Sequence, residues 1–300
     1  MDNSLLKYIG NTPLMELKNI EEKYKLKSKL FAKLEMFNLS GSIKIRIVKE
    51  IILDGINKGL INNKTTIIEA TSGNTGIALA CICAQMRLKL IIVMPENMSI
   101  ERQKLIKIYG GKIILTQKNK GMKGSLKKVE ELKNKYKNVF IPSQFDNLIN
   151  QKTHYLYLGK EIYNQLNGNI DIFIAGIGTG GTITGASKYL KERKNIVSIG
   201  VEPLSSPLIN KGYSGKHKIQ GIGANFIPKN LDLKYVDKVE MISNNDAFKY
   251  MKLLAKTEGI FVGISSGAVL NIGIKEALKN ENKNIVLIFP DLGERYLSIL

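Results

Sequence analysis

The amino-acid sequence predicts an α/β protein in which mostly parallel β-sheets are covered by helices. Short runs of β-branched and other apolar residues alternate with longer segments of helical spacing, a pattern typical of strand–helix–strand units. The short runs are almost continuously apolar, as expected for parallel strands that are buried on both faces. Several of them are followed by loops rich in glycine and hydroxyl residues, where ligands bind in folds of this kind.

The predicted strands fall into two series along the chain. In the first series, helices are predicted between the strands at residues 77–86, 99–109 and 122–137. The second series begins after a stretch around residues 144–150. Two such series suggest two closely packed domains, because no linker rich in proline, glycine or serine separates them. The predicted strands are residues 66–70, 89–95, 112–116, 139–142, 170–176, 196–202, 259–263 and 284–290.

The composition limits the classes of function that the chain can have. Its 300 residues carry a formal net charge of +19, which comes almost wholly from lysines that are scattered along the chain. We therefore expect no nucleic-acid partner, although anionic small substrates would be attracted by this field. No apolar run is long enough to span a membrane, and the first sixteen residues do not resemble a signal peptide. We expect a cytoplasmic protein with no membrane partner.

Cysteine and histidine are scarce in the sequence. Cys81 and Cys83 lie one residue apart in an apolar stretch, and His154 and His217 are the two histidines. This spacing fits neither a disulfide nor a zinc site. We expect buried thiols in a reducing compartment and no bound metal.

The first glycine-rich loop directly follows the predicted strand at residues 66–70. Glycines let the backbone turn sharply and point its amide groups at a ligand, and hydroxyl and carboxamide groups add further donors. Capping a helix would need one such residue, so six consecutive small polar positions favour a loop that binds a carboxylate. The loop consists of Thr71, Ser72, Gly73, Asn74, Thr75 and Gly76.

The second loop spans residues 176–182, and its density of amides and hydroxyls suits a phosphate at a helix N-terminus. Gly176, Gly178 and Gly181 also form the G-x-G-x-x-G pattern, and Glu202 stands where a dinucleotide fold places its ribose-binding acid. An NAD-binding dehydrogenase therefore remains an alternative. The additional Gly180 and the flanking threonines favour a compact phosphate site instead.

Two further candidates follow from their positions in the sequence. Residues 263–268 form a third loop of small residues before a helix, and a hydroxyl there could face a ligand. Lys44 follows the small-residue loop at residues 40–43 and precedes a helix that we expect from Ile47. This position would bury the base of the lysine, and a desolvated amine is more easily uncharged, as Schiff-base formation requires.

Together these blocks resemble the cysteine synthase (O-acetylserine sulfhydrylase) and cystathionine β-synthase family of fold-type II pyridoxal-phosphate enzymes. The resemblance runs nearly end to end and implies two three-layer αβα domains, similar to those of the tryptophan synthase β chain. It implies a smaller domain of residues 1–12 and 35–147, mobile over about 89–134, and a larger domain of residues 13–34 and 148–300. The matching blocks include residues 9–14, 40–44, 71–76, 94–102, 121–124, 144–145, 178–182, 201–203, 219–224, 263–267 and 293–297.

The resemblance also assigns a role to each candidate residue. Lys44 would carry pyridoxal 5′-phosphate as a Schiff base and move protons at the substrate α-carbon. Asn74 would bind the 3′ oxygen of the cofactor, and Ser265 would face its pyridine nitrogen. The phosphate would be held by Gly178, Thr179, Gly180, Gly181 and Thr182. The substrate carboxylate and its neighbouring groups would be bound by Thr71, Ser72, Gly73, Asn74, Thr75 and Gln144.

The activity that the resemblance implies is a β-replacement. L-Cysteine would be made from O-acetyl-L-serine and sulfide through an aminoacrylate, while closure of residues 89–134 would exclude water. The partners would be a small amino acid and sulfide or another thiol, and the enzyme would be a homodimer.

Asn225 is a departure from the family pattern that leaves alternatives open. Cysteine synthases tend to have glycine at this position, and a side chain here would project toward the substrate and could admit another nucleophile. A cysteine β-lyase that releases hydrogen sulfide, or a lanthionine or cystathionine synthase, is therefore an alternative. A non-catalytic binding protein is another, although the intact Lys44, Asn74 and Ser265 argue against it.

Overall fold

The computed structural model describes residues 5–300, in which two β-sheets are covered by helices. The α/β class predicted from the sequence is confirmed. Among the described residues, no helix has the length and apolar composition that a membrane crossing requires. The strands are β1 (Leu14–Glu16), β2 (Lys29–Leu34), β3 (Thr66–Ala70), β4 (Lys89–Pro95), β5 (Lys112–Thr116), β6 (Val139–Phe140), β7 (Ile172–Gly176), β8 (Val197–Pro203), β9 (Lys238–Ile242) and β10 (Asn284–Phe289).

The helices occupy most of the segments between these strands. A π-helical turn, His154–Gly159, joins two of them, and short 3₁₀ turns lie elsewhere. The α-helices are α1 (Lys18–Tyr24), α2 (Lys44–Asn57), α3 (Asn74–Gln85), α4 (Ile100–Ile108), α5 (Gly121–Lys135), α6 (Ile149–Thr153), α7 (Lys160–Gln165), α8 (Gly181–Lys191), α9 (Leu208–Lys211), α10 (Asn244–Glu258) and α11 (Ile264–Lys279).

The chain divides into two compact units. The smaller unit comprises the described part of Met1–Ile9 together with Asn38–Asn147, and the larger unit comprises Gly10–Phe37 and Leu148–Leu300. Residues 10–12 and 35–37 therefore belong to the larger unit, whereas the sequence analysis placed them in the smaller one. The reason is that these residues flank the antiparallel pair of β1 and β2, and Thr12 Oγ1 donates a hydrogen bond to Glu35 across that pair (2.6 Å).

The smaller unit is built on a four-stranded parallel sheet in the order β5-β4-β3-β6. Successive residues of its strands pack into different cores, as the alternation of side chains along a strand requires. Ile67 and Ile92 pack with residues of α2 and α3. Ile68 and Val93 pack with Val129 of α5 in a separate cluster. The sheet is therefore buried on both faces, and the smaller unit has three layers.

The larger unit is built on a six-stranded sheet in the order β1-β2-β10-β7-β8-β9, in which β1 runs antiparallel to its neighbour. Ile172 and Ile174 of β7 pack with Leu270 of α11 in one cluster. Phe173 lies between them in the strand and therefore points to the opposite face. Helix α8, which carries the buried Ile183, packs against β7 and β8. The larger unit also has helices on both faces of its sheet.

The structure corrects several predicted elements. Residues 259–263 are not a strand, because Gly259 ends α10 with φ of +69° and Val262 alone forms an isolated bridge, with Leu292. Helix α2 begins at Lys44 and not at Ile47. The predicted strand at residues 139–142 is shortened to β6, and the sequence analysis did not identify β1, β2 or β9.

Candidate active site

Lys44 is the first residue of α2 in the smaller unit. The helix follows the buried residues Ser42 and Ile43, and its first turns bury Ile45 and Ile47 against the core. Lys44 itself is half-buried. The predicted role of Lys44 requires its base to be buried, and the packed helix around it is consistent with that expectation.

The loop at residues 71–76 carries the chain from β3 into α3. Thr71 N donates to Val93 O (3.1 Å), which continues the strand pairing by one residue, and Thr71 Oγ1 accepts a hydrogen bond from Gly73 N (3.4 Å). Gly73 is the N-cap of α3, and no side chain caps this helix. The first amide groups of a helix have no acceptor within it, so this N-terminus can bind a carboxylate.

Two further observations describe the surroundings of this loop. A Cβ atom added at Gly73 would meet no other atom within 4 Å, so the region next to the loop is open. Arg102, which is buried on α4, donates a hydrogen bond from Nη1 to the carbonyl of Ser72 (3.3 Å). No role for Arg102 is predicted from the sequence, although this residue ends the matching block at residues 94–102.

Gln144 is brought against this loop, as its predicted role in substrate binding requires. Thr75, in the first turn of α3, donates from Oγ1 to Gln144 Oε1 (2.6 Å), and both side chains are buried. Asn74 is half-buried at the first position of the same helix. The predicted carboxylate-binding residues therefore lie together at one end of the smaller unit's sheet.

Glu69 is a residue that the sequence analysis missed. It is buried in β3, and its carboxylate accepts hydrogen bonds from Ser143 N (3.0 Å) and Gln144 N (3.3 Å). Burial raises the pKa of Glu69 to about 7, against the opposing effect of these two hydrogen bonds. A single acid within the apolar run of β3 was the available signal, because a buried carboxylate needs hydrogen-bond donors.

The second loop lies in the larger unit and carries the chain from β7 into α8. Its N-cap, Gly180, has φ of +81°, and no side chain caps the helix. The loop is supported from behind, since Asn150 Nδ2 donates to Thr179 Oγ1 (3.0 Å) and His154 Nε2 lies 3.2 Å from Thr182 Oγ1. A Cβ atom at Gly181 would collide with the Asn150 side chain.

These features fit a phosphate group. Helix α8 has eleven residues, so its uncapped N-terminus carries both unpaired amide groups and the positive end of a helix dipole. Anions bind at such positions, and glycines allow a phosphate to approach the backbone closely. The residues present at this loop are therefore suited to the phosphate of a cofactor such as pyridoxal phosphate.

Ser265 lies near the second loop within the larger unit. It is buried in the first turn of α11, and a Cβ atom at Gly221 would lie 3.8 Å from its Oγ. A Cβ atom at Gly178 would in turn collide with the carbonyl oxygen of Gly221. Three parts of the larger unit therefore lie close together: the phosphate loop, the segment at residues 219–224 and Ser265. The order of these motifs in the sequence does not reveal this proximity.

Glu202 is not available as a ribose-binding acid. Its buried carboxylate accepts three hydrogen bonds at the start of α9, from Ile209 N (3.0 Å), Asn210 N (3.0 Å) and Asn210 Nδ2 (2.8 Å). Its oxygens are thus used within the protein. This arrangement argues against the dehydrogenase alternative that the G-x-G-x-x-G pattern left open.

Asn225 is exposed in the structure. Its neighbours Ala224 and Phe226 help to line a small hollow together with Gly178 and Glu202. The orientation toward substrate that the sequence analysis expected for Asn225 remains a prediction.

The two cysteines are free. Burial raises the pKa of Cys83 to about 12 and also raises the pKa of Cys81. Thiols with raised pKa values are poor nucleophiles at neutral pH. These residues therefore have a packing role next to α2 and the sheet of the smaller unit.

Comparisons with known proteins indicate one enzyme family over nearly the whole chain. A family model described as pyridoxal-phosphate dependent enzyme matches residues 5–291. A Campylobacter jejuni protein described as cysteine synthase B is 49% identical over 291 residues, which cover 97% of this chain and 95% of that relative. The chain also resembles a solved hydrogen sulfide-producing enzyme from Fusobacterium nucleatum, with 45% identity, a TM-score of 0.95 and coverage of 99% and 100% of the two chains.

A third relative carries a different description. The solved O-acetylserine dependent cystathionine β-synthase from Helicobacter pylori has 42% identity to this chain and a TM-score of 0.91. The alignment covers 99% of this chain and 98% of that structure. Proteins named for different reactions thus share this fold and nearly its full length.

Proposed function

Because the chain belongs to the family of pyridoxal-phosphate-dependent enzymes, we propose that it makes L-cysteine from O-acetyl-L-serine and sulfide by β-replacement. The observation that carries this proposal is the 49% identity to a relative described as cysteine synthase B over 97% of this chain. The arrangement of the candidate residues in each unit supports it, since one loop suits a phosphate and the other a carboxylate.

Pyridoxal phosphate, when bound, supplies an electron sink for the substrate α-carbon. Lys44 would hold the cofactor through its amine. Once the substrate amine has displaced it, the freed amine of Lys44 would take the proton from the substrate α-carbon and later return it. In the overall β-replacement, O-acetyl-L-serine and hydrosulfide would give L-cysteine and acetate.

The remaining residues bind and orient. The amide groups and hydroxyls of residues 178–182 would hold the phosphate, and Asn74 would donate a hydrogen bond to the 3′ oxygen. Ser265 would offer a neutral hydroxyl to the pyridine nitrogen. A hydroxyl cannot protonate that nitrogen as an aspartic acid would, which favours brief proton loss and elimination over transamination. The N-terminus of α3 binds the substrate carboxylate, together with Thr71, Ser72, Gly73, Thr75 and Gln144.

Closure of residues 89–134 over the bound substrate would exclude water from the reaction. Arg102 lies in this segment and contacts the Ser72 carbonyl, so a movement of α4 would be transmitted to the carboxylate loop. The enzyme would act as a cytoplasmic homodimer on its small amino-acid substrate and sulfide.

A second candidate is the release of hydrogen sulfide from L-cysteine. It is favoured by the 45% identity and TM-score of 0.95 with a hydrogen sulfide-producing enzyme, and by Asn225 in place of the expected glycine. The two reactions share the loss of the α-proton and of a β-substituent. They differ in the leaving group and in the nucleophile that follows.

The cofactor assignment is tested with Lys44→Ala. The purified native protein is expected to absorb near the visible edge after addition of pyridoxal phosphate, and the variant is expected to lose this band together with roughly a thousandfold of its turnover. Lys58→Ala is the matched control, because Lys58 lies at the exposed C-terminal end of the same helix. A native protein that takes up no cofactor would contradict the proposal.

The substrate assignment is tested by offering the pure protein O-acetyl-L-serine with sulfide, and separately L-cysteine alone. We expect faster turnover with the first pair. Negligible cysteine formation with rapid sulfide release from L-cysteine would replace the first reaction by the second.

A further inference from the structure

We propose that Glu69 is a positioning residue for the substrate carboxylate, because it holds the turn at Ser143 and Gln144 that orients Thr75 at the start of α3. This inference rests on the proposed function, since it takes Thr75 and Gln144 as part of the carboxylate-binding loop. Glu69 would not touch the substrate. It would act through the backbone of the turn.

The location of Glu69 is energetically unfavourable for a carboxylate, because burial removes its water. The hydrogen bonds that it accepts must therefore compensate for this loss. Glu69 lies on β3, one of the two inner strands of the sheet, and its side chain is buried between the apolar residues Ile68 and Ala70 of that strand. A buried carboxylate is tolerated when hydrogen bonds compensate for the lost water. Here both carboxylate oxygens accept backbone amides, one from Ser143 and one from Gln144.

The turn that receives these hydrogen bonds has a strained backbone. Ser143 has φ of +54°, in the left-handed region that residues other than glycine rarely adopt. Its carbonyl oxygen accepts hydrogen bonds from Asp146 N and Asn147 N, both at 2.9 Å. Glu69 thus holds the amide side of Ser143, while the following turn holds its carbonyl side. Such a conformation persists where the surroundings impose it.

The consequence of this turn is the orientation of Gln144. Its backbone amide is bound to Glu69, and its side-chain oxygen accepts the hydroxyl proton of Thr75 at 2.6 Å. Thr75 lies one residue after Asn74 in the first turn of α3. A shift of the turn would therefore move two residues that we place against the substrate carboxylate, while Lys44 on α2 and the phosphate loop would be unchanged.

The test uses Glu69→Gln in the cofactor-loaded enzyme. The amide of glutamine keeps the shape of the side chain but has one accepting oxygen, and its NH₂ group opposes the second backbone amide. We expect the KM for O-acetyl-L-serine to rise about tenfold at saturating sulfide, because a displaced turn would misplace the hydrogen bonds that Gln144 and Thr75 offer to the substrate carboxylate, and one weakened hydrogen bond to a charged group is worth about this factor. The kcat should change less than about twofold, since an interaction with the carboxylate contributes mainly to binding. The cofactor absorbance should be unchanged.

A second readout does not depend on activity. Hydrogen exchange of the backbone amides in residues 139–147 should become faster in Glu69→Gln than in the native protein. Glu130→Gln is the matched control, because it removes an exposed carboxylate from α5 of the same unit, and it should change neither readout.

A rescue experiment separates positioning from general support of the fold. Glycine adopts φ of +54° without strain. When Ser143→Gly is combined with Glu69→Gln, the raised KM should therefore fall a substantial part of the way back to the native value. A structural defect of β3 would not respond to this change. An additive double variant, without any recovery, would overturn the proposal.

If Glu69→Gln does not fold, the native enzyme provides the same test through pH. Burial, with a further contribution from the nearby Asp146, raises the pKa of Glu69 to about 7, so its carboxylate is neutralised as the pH falls below this value. A local opening of the turn leaves Glu69 buried but removes the two hydrogen bonds that favour its charged form. Exchange at residues 139–147, corrected for its intrinsic pH dependence, should then be less protected at pH 6 than at pH 8, although the stability of the whole protein rises at the lower pH. Equal protection at both values would overturn the proposal.

The outcomes distinguish this inference from the proposed function. Faster exchange with an unchanged KM would show that Glu69 holds the turn without positioning the substrate, and the inference would fail. If the native enzyme does not turn over O-acetyl-L-serine at all, the proposed function fails instead. The positioning claim would fail with it, while the exchange data would still decide whether Glu69 holds the turn.

Discussion

The two units carry the same strand–loop–helix motif but support it differently. In each unit a parallel strand leads into a helix whose N-cap glycine receives no side-chain cap, Gly73 before α3 and Gly180 before α8. A Cβ atom at Gly180 would collide with Leu231, and one at Gly181 would collide with Asn150. A Cβ atom at Gly73 would meet nothing within 4 Å. The loop before α8 is packed at both of these glycines, whereas the loop before α3 is open at Gly73 and packed at Gly76, where a Cβ atom would lie 3.1 Å from Ile106. We call them the packed loop and the open loop.

This difference suits two kinds of ligand. A loop whose shape is set by packing needs little ordering when a phosphate binds, which favours tight retention of a cofactor through every turnover. An open loop that is held by a few hydrogen bonds, such as those around Thr75 and Gln144, suits a substrate that enters and leaves. The same local sequence pattern can therefore serve a permanent ligand or a transient one, according to what packs behind it.

The largest effect that we expect on stability concerns Glu69, which supports the open loop. Burial raises the pKa of Glu69 from its ordinary value of 4.5 to about 7, so between these pH values the folded state binds more protons than the unfolded state. The contribution of Glu69 to stability is therefore fully present below pH 4.5 and is lost as the pH rises through 7. The total is roughly 3–4 kcal/mol, since each pKa unit corresponds to about 1.4 kcal/mol.

Glu69→Gln removes this titration. The free energy of unfolding of the native protein, measured by urea denaturation from pH 5 to pH 8, should therefore fall relative to that of the variant. Parallel pH curves for the two proteins would show that the carboxylate of Glu69 is not desolvated.

A matched pair of glycine substitutions tests the comparison directly. Gly181→Ala places a methyl group against Asn150, and overpacking of this kind costs about 1–3 kcal/mol. We expect a lower melting temperature and weaker retention of pyridoxal phosphate on dialysis. Gly73→Ala places the same methyl group in open space at a φ of −125°, which alanine adopts readily.

Gly73→Ala should leave the melting temperature and cofactor retention unchanged and should raise the KM for the amino-acid substrate. If the two variants lose equal amounts of cofactor, the distinction between a packed loop and an open loop is wrong.

The smallest effect on stability is expected at Asn225. It is exposed, so Asn225→Gly should change the free energy of unfolding by no more than about 0.5 kcal/mol. We expect it instead to shift the ratio of turnover with O-acetyl-L-serine plus sulfide to turnover with L-cysteine alone. An unchanged ratio would remove Asn225 from the account of specificity.

Much of the fold could be predicted because its signals are local. The strands at residues 66–70, 89–95 and 112–116 have the predicted bounds, since short runs of β-branched and other apolar residues are distinctive, both in the buried strands β3 and β4 and in the partly exposed edge strand β5. The membership of the fold-type II pyridoxal-phosphate enzymes was likewise evident from the loops, and it agrees with the family match over residues 5–291. Glycine-rich loops at strand ends are recognisable because their conformation depends on their own residues.

Other features could not be predicted because they depend on residues far apart in the chain. Strand β2 was missed because Lys33 interrupts its apolar pattern. In the structure this buried lysine forms an ion pair with Glu161 (2.9 Å) and donates to the carbonyl of Thr12 (2.7 Å). Conversely, residues 259–263 have an apolar, strand-like composition but lie between two packed helices. Pattern alone does not reveal such partners.

The local pattern of residues thus established the class of fold, the loops and the family of this protein, because periodicity and glycine placement act over a few residues. The support of each loop was established by packing in three dimensions. Glu69 and Gln144 are 75 residues apart, and Asn150 and Thr179 are 29 residues apart, yet each pair forms a hydrogen bond. Such contacts form only when distant parts of the chain are brought together by folding, and they distinguish the packed loop from the open one.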